Sequence, residues 1–278
     1  MFSILIPSWN NLKYLQLCIE SIQKNSFYKH QVVVHINDGS DGSLDWVKQN
    51  KIDFTQTNDN AGVCIALNMA ATKAVNEYIV FVNDDMYCLP NWDKFLADEI
   101  TSFPSNCFMI SATMIEPRDT NNKAVIVANY GNSIDNFNEA KILQEFTTHS
   151  KEDWSGSCWP PNVVHKYYWN LVGGYSIEFS PGMSSDDDFA MKMWKVGCRY
   201  FKGVAASRVY HFQQKSTKRI EKNDGGKQFF NKWEITQSYF NKKYIKKGQP
   251  FQVLAIETTI PLSFKEKIKH FYKRKFKY

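Results

Sequence analysis

Four short apolar runs, each followed by a polar turn and each but the last then by a helical repeat, dominate the first hundred residues. Phe2–Ile6, Val32–Ile36, Phe54–Thr57 and Tyr78–Val82 are rich in β-branched and aromatic residues and have strand length. Between them, Leu12, Leu15, Ile19 and Ile22 recur at helical spacing through about residue 24. Leu44–Gln49 reads as a short helix, and Ile65, Ala66, Met69 and Ala70 form one face of a helix over about residues 62–75. Strands separated by helices predict an α/β fold with a mostly parallel sheet flanked by helices on both faces. Further along, the pattern predicts a helix over 92–103 and strands at 108–113, 124–128 and 204–211. A helix is also predicted from about residue 186 to 196. Residues 114–155, rich in Asn, Asp and Thr, read as a variable insertion over a cleft.

In such sheets ligands bind where strands end, so the residues after each strand carry the functional information. The fourth strand runs into Asn83-Asp84-Asp85. Two carboxylates at a strand end are hard oxygen ligands suited to Mg²⁺ or Mn²⁺, which commonly hold substrate phosphates. The same residues also describe a solvated turn with an Asx cap. Asn37-Asp38-Gly39-Ser40, taken alone, is an ordinary turn as well.

The bulk numbers set limits. The chain has 278 residues, 43% hydrophobic residues and a mean hydropathy of -0.44, which describes a folded, water-facing protein. No apolar run reaches the ~20 residues that cross a bilayer. The start lacks a basic leader, so no secretory signal is expected. Cys18, Cys64, Cys88, Cys107, Cys158 and Cys198 are dispersed without a C-x-x-C pair, the usage of reduced thiols in a cytoplasmic protein. The net charge of +6 is uneven: residues 1–212 carry 17 Lys/Arg against 23 Asp/Glu, residues 213–278 carry 17 against 5. An acidic body thus bears a basic extension.

The order of these elements resembles family 2 of the inverting, nucleotide-sugar-dependent glycosyltransferases, which have a GT-A fold. The resemblance covers about residues 2–212 and rests on five ordered elements. They are Ile6-Pro7-Ser8-Trp9-Asn10, Asn37-Asp38-Gly39-Ser40, Asn60-Ala61-Gly62 with Asn68, Asn83-Asp84-Asp85, and Gly173-Gly174-Tyr175 with Ser185-Asp186-Asp187-Asp188. It implies a catalytic domain over 1–212, with a nucleotide-sugar half (1–113) and an acceptor half (114–212), followed by the extension 213–278. It places Pro7, Ser8 and Asn10 near the nucleoside, with Asp38 accepting from a uracil N–H. Asn60, Gly62, Asn68, Asn83 and Asp84 complete the implied nucleotide-sugar contacts. Asp85 is implied as the direct ligand of Mn²⁺ or Mg²⁺, joined by His211, although a His after a strand is also commonly structural. Asn83 replaces the first acid of the usual D-x-D. Leu67 stands where the family has an Arg, so the diphosphate contact is expected elsewhere, at Lys215 or Lys218.

An inverting transfer needs one base to deprotonate the acceptor hydroxyl during in-line attack. Helical spacing puts Asp186 on the face of Phe189, Ala190 and Met193, pointing inward. The family's acidic pair ends at this base, with Ser185 standing where the family has Glu; Asp187 is the alternative register. Ser184, Ser185 and the acids also suit plain helix capping. Trp154, Trp159 and Tyr168 around Gly156-Ser157-Cys158 fit either a sugar platform or the core.

The expected partners are a UDP-sugar donor and a glycan or lipid-linked saccharide acceptor, and no nucleic acid. Residues 261–278 contain seven Lys/Arg and one Glu, with Phe264, Ile268, Phe271 and Tyr272 at helical spacing. A basic aromatic helix suits an anionic membrane, which would make the protein peripheral on the inner face, though a frayed terminus has the same composition. Two other functions share this outline. A sugar-nucleotidyltransferase would carry a Gly-rich G-x-G-T-R-like loop after the first strand, where Pro7-Ser8-Trp9-Asn10 stands. A non-catalytic nucleotide-sugar-binding homologue would bind without metal dependence.

Overall fold

The computed structural model describes residues 1–214, 221–254, 261–272 and 274. The chain opens as β1 (Phe2–Trp9), α1 (Leu12–Asn25), β2 (Gln31–Asn37), α2 (Ser43–Gln49), β3 (Asp53–Thr57), α3 (Gly62–Ala71) and β4 (Tyr78–Phe81). It continues through β5 (Met86–Cys88), α4 (Trp92–Thr101), β6 (Phe108–Glu116), β7 (Ile126–Val127), α5 (Glu139–Glu145), β8 (Trp154–Ser155), β9 (Asn162–His165) and α6 (Lys166–Leu171). After these come α7 (Ser185–Lys195), β10 (Tyr200–His211), α8 (Gly225–Trp233), α9 (Gln237–Tyr239) and α10 (Phe264–Tyr272).

One sheet in the order β3-β2-β1-β4-β9-β6-β10-β5 spans the molecule, with β7 beside β6 and β8 beside β10. β1 to β4 are parallel, as are β6, β7 and β10. β9, however, lies antiparallel between β4 and β6, and β5 and β8 are antiparallel to β10. Seven of the ten strands thus share one direction, so the sheet is mostly parallel as expected, with β5, β8 and β9 reversed. The reversal of β9 is not legible in the sequence, because Asn162-Val163-Val164 is covered on both faces and an apolar run reads the same in either direction.

Each face of the sheet is covered. Leu15, Ile19 and Ile22 of α1 pack with Trp92 and Leu96 of α4 on one side. Leu67 and Ala70 of α3 and Phe189 and Met193 of α7 pack on the other, joined by Phe229, Tyr239, Phe240 and Ile245 from beyond residue 212. At about 25 cal/mol per Å² of apolar surface removed from water, such fully buried rings and branched chains dominate the folding energy. The strand expected to end at Thr113 runs on to Glu116 with every residue buried, which carries its last carboxylate to the sheet's edge. The expected strand at 124–128 shortens to Ile126–Val127.

Candidate active site

The ends of β1, β2, β4, β6 and β10 and the start of α7 enclose one cavity of about 490 Å³. Pro7, Ser8, Asn60, Gly62, Asn83, Asp84, Asp85, Asp186 and His211 line it. So do Trp159, one of the aromatics weighed as a sugar platform, and Glu116, Thr120, Asn122 and Gln214, which carried no such expectation.

The β4–β5 turn is fixed from both sides. The Ser8 hydroxyl donates to Asp84 Oδ2 at 2.7 Å, tying the first and fourth strand ends together. Asp85, only 6% exposed, accepts the Gln214 backbone N–H at 2.8 Å, and its backbone carbonyl accepts from Phe212. His211 Nε2 stands 3.4 Å from the same Asp85 carboxylate, while its Nδ1 is 2.8 Å from Glu116. Burial opposes charge on this imidazole, yet the two carboxylates raise its pKa to about 10. Burial likewise works against the Asp85 carboxylate, and His211 with the Gln214 N–H overcomes it and holds the pKa low.

This donor set fits a divalent cation shared with a substrate. A ligating His typically donates its second ring nitrogen to a carboxylate, the relation His211 has with Glu116. Among the described residues no group of three or more His, Cys, Asp or Glu is arranged to hold a metal ion by itself. Mg²⁺-type sites need none, because water and substrate phosphates fill the remaining positions.

Around the first two strand ends, the left-handed residues Asn10 (φ 46°) and Asp38 (φ 67°) face each other. The Asn10 amide donates to Asp38 Oδ2 at 2.7 Å and its carbonyl accepts from Gly39 N–H, so both side chains lock the two loops together beside the cavity rather than lining it. The Asn10 and Ser40 donors hold the Asp38 carboxyl below its usual range. Asn37 lines the cavity in its place, and its Oδ1 accepts from the Ala61 N–H ahead of α3. Gly62 has φ +81°, and a Cβ there would stand 2.7 Å from Pro181 Cα. Only glycine lets α3 start this close to the loop before α7.

Asn68 stands apart from the cavity. Its amide grips Tyr175, donating to the carbonyl at 2.7 Å and accepting the N–H at 2.8 Å. Both ends of the side chain are spent on holding the Gly173-Gly174-Tyr175 turn, and it does not line the cavity.

The three acids of α7 have different surroundings. Asp186 lines the cavity and accepts the Tyr175 hydroxyl at 3.1 Å. Burial first, then the neighbouring Asp187, pushes its pKa up to about 7. Asp187 is 3% exposed, does not line the cavity, and accepts from the Gln237 amide and from Cys158 Sγ at 3.6 Å. Asp188 is fully buried and accepts from Trp233 Nε1 at 2.8 Å, with Lys232 Nζ at 3.0 Å. Simple capping does not describe this helix start: Ser184 makes no side-chain cap, and its hydroxyl donates to Gln237. Of the three aromatics, Trp159 reaches the cavity, whereas Trp154 is buried and bonded to Thr113 and Tyr168 packs against the core. Lys215 and Lys218, the expected diphosphate contacts, lie outside the described residues.

Residues 3–160 match the family model described as glycosyl transferase family 2. Chondroitin synthase of Pasteurella multocida (strain Pm70) is 22% identical over 227 residues, which are 80% of this chain and 22% of that protein. The chain thus spans about a fifth of this relative. The crystal structure of S. aureus TarS 1-349 in complex with UDP-GlcNAc shares the fold at a TM-score of 0.51 and 18% identity, covering 77% of this chain and 56% of that one. The crystal structure of GalNAc-T7 with UDP, GalNAc and Mn²⁺ does so at 0.56 and 13%, covering 81% and 44%.

Proposed function

The chain belongs to glycosyl transferase family 2 and is a glycosyltransferase, and from that premise we propose an inverting transfer from a UDP-sugar to a hydroxyl of a glycan or lipid-linked saccharide on a GT-A framework. The observation that carries this reading is a single cavity that gathers the β4–β5 acids, the His211–Glu116 pair and Asp186. One end of that arrangement suits a diphosphate and the other a proton acceptor.

Pro7, Ser8, Asn37, Asn60 and Gly62 form the wall for the nucleoside, and Asn83 offers a neutral amide to a sugar or ribose hydroxyl. Ser8 keeps Asp84 in place, and Glu116 aims His211 at Asp85. Asp85 and His211 would hold Mn²⁺ or Mg²⁺, which when bound supplies positive charge to the departing diphosphate. Asp186 accepts the proton of the acceptor hydroxyl, held in place by the Tyr175 hydroxyl.

The reading is checked by measuring UDP release from a panel of UDP-sugars with Mn²⁺, Mg²⁺ or EDTA. The expected result is metal-dependent UDP release with a restricted set of donors. Pyrophosphate release from UTP and a sugar 1-phosphate would instead identify a nucleotidyltransferase, and metal-independent binding without turnover a non-catalytic homologue.

The acceptor is proposed to lie at an anionic membrane. In α10 the usual orientation is reversed: His270 is buried against Phe230 and Tyr239, while Phe264, Ile268, Phe271 and Tyr272 are 79%, 53%, 62% and 59% exposed. Exposed Lys265 and Lys267 flank this apolar face, so a second copy of the same basic surface is repelled and an anionic bilayer attracted. No helix among the described residues is long and apolar enough to cross a membrane. Changing Phe264, Ile268, Phe271 and Tyr272 to Ser is expected to abolish flotation with phosphatidylglycerol vesicles and leave UDP release from the donor unchanged. Equal flotation of both forms would refute the assignment.

A further inference from the structure

We infer that Lys247, from the chain beyond the last core strand, is a positioning residue that holds Asp187 in place and thereby aims Asp186 at the acceptor hydroxyl. The inference rests on Asp186 being the base of the proposed transfer.

Three adjacent carboxylates at one helix start repel one another, and two of them are buried. Each buried acid is matched by a lysine from beyond residue 212: Lys232 with Asp188 at 3.0 Å, and Lys247 with Asp187 at 3.9 Å. Among the described residues no ion pair engages Asp186, whose carboxylate is left to the cavity and the Tyr175 hydroxyl. The extension thus quenches the two acids that do not face the cavity and leaves the one that does.

Lys247 is held too tightly for an accidental contact. Its ammonium, with the side chain 12% exposed, sits 3.2 Å from the centroid of Trp159 and donates to Cys158 Sγ at 2.9 Å. That sulfur in turn lies 3.6 Å from Asp187 Oδ1. Its backbone N–H donates to Asn241 O at 2.8 Å, and the next N–H, of Gly248, donates to Ser155 O at 2.9 Å. Gly156 faces this strap so closely that a Cβ would stand 2.4 Å from Lys247 Cα. A cation this buried is stable only where its charge is used, and Asp187 and the Trp159 face use it. Trp159 also lines the cavity, so the same ammonium supports one wall of the acceptor side.

The groups facing Asp186 are Asp187 on its own helix, Tyr175 from the turn after α6, Cys64 from α3, Cys158 from the segment before β9, and Lys247. Without the Lys247 charge, Asp187 still has the Gln237 amide and the Cys158 thiol as donors, whereas among the described residues Asp186 has only the Tyr175 hydroxyl. The proton gained therefore goes to Asp186.

Lys247→Met is expected to move the acidic limb of the kcat–pH profile up by about one pH unit and to lower kcat at pH 7 about fivefold, with the donor KM within about twofold. Lys247→Arg is expected to restore the limb. Lys247→Gln is read in the same way if the Met variant does not fold, judged by its melting curve. An unmoved acidic limb in a folded Met or Gln variant, or an Arg variant no better than Met, would overturn the inference. If Asp186→Asn retains full turnover, the base assignment itself fails. If that variant is inactive while the Lys247 variants keep the parental limb, only the present inference fails.

Discussion

Replacing Asp186 with Asn is expected to lower the transfer rate by about 10²–10⁴-fold while leaving UDP affinity within about twofold. The amide keeps the volume of the side chain and can still accept the Tyr175 hydroxyl, so the helix start retains its shape. What it loses is the ability to take up the acceptor's proton. The pH dependence of the parent enzyme should report the same group. Burial and Asp187 raise the Asp186 pKa to about 7, and a base works only when ionised. Turnover should therefore rise with pH through about 7 and fall about tenfold per unit below it. A profile flat from pH 5.5 to 8 would remove Asp186 from this role, as would an Asn variant with parental kcat.

The second large effect is expected at Asp85. Asp85→Ala removes the carboxylate that His211 and the Gln214 N–H converge on. With Mn²⁺ present, UDP affinity measured by calorimetry should fall at least about tenfold, and the transfer rate about 10²-fold or more. With EDTA, the parent and the variant should bind UDP equally, because the nucleoside wall formed by Pro7, Ser8 and Asn60 is untouched. Equal loss in both conditions would mean that Asp85 supports the fold of the turn and not a cation. The two substitutions separate cleanly: one acts on the proton with binding intact, the other on metal-dependent binding.

These residues differ in how visible they were. Asp84 and Asp85 stood out because they follow a short, largely buried strand at the edge where open α/β sheets bind ligands, although a solvated turn has the same residues. Asp186 was legible from helical spacing, which put it on the face of Phe189 and Met193. Glu116 carried a similar signal to Asp84, an acid closing a long apolar run, but the strand was expected to stop at Thr113. The position of Asn68 in the motif says nothing about what its amide touches, and here both ends are taken by Tyr175. Lys247 had no local signal at all. It is one of many lysines in a basic segment, and only its burial against Trp159, Cys158 and Asp187 distinguishes it.

The alternation of apolar runs with helices determined, from sequence alone, an α/β layering and the chain positions at which chemistry would gather. Those features are local, set by side-chain period and by the residues that close each strand. Strand direction, the pairing of each acid and the place of the extension were decided only in three dimensions. Buried runs look alike in both directions, and the partner of a carboxylate is whichever donor the packing brings within about 3 Å, however distant along the chain. Tertiary structure thus gave three consecutive aspartates three different surroundings: Lys232 at Asp188, Lys247 at Asp187, and the open cavity at Asp186.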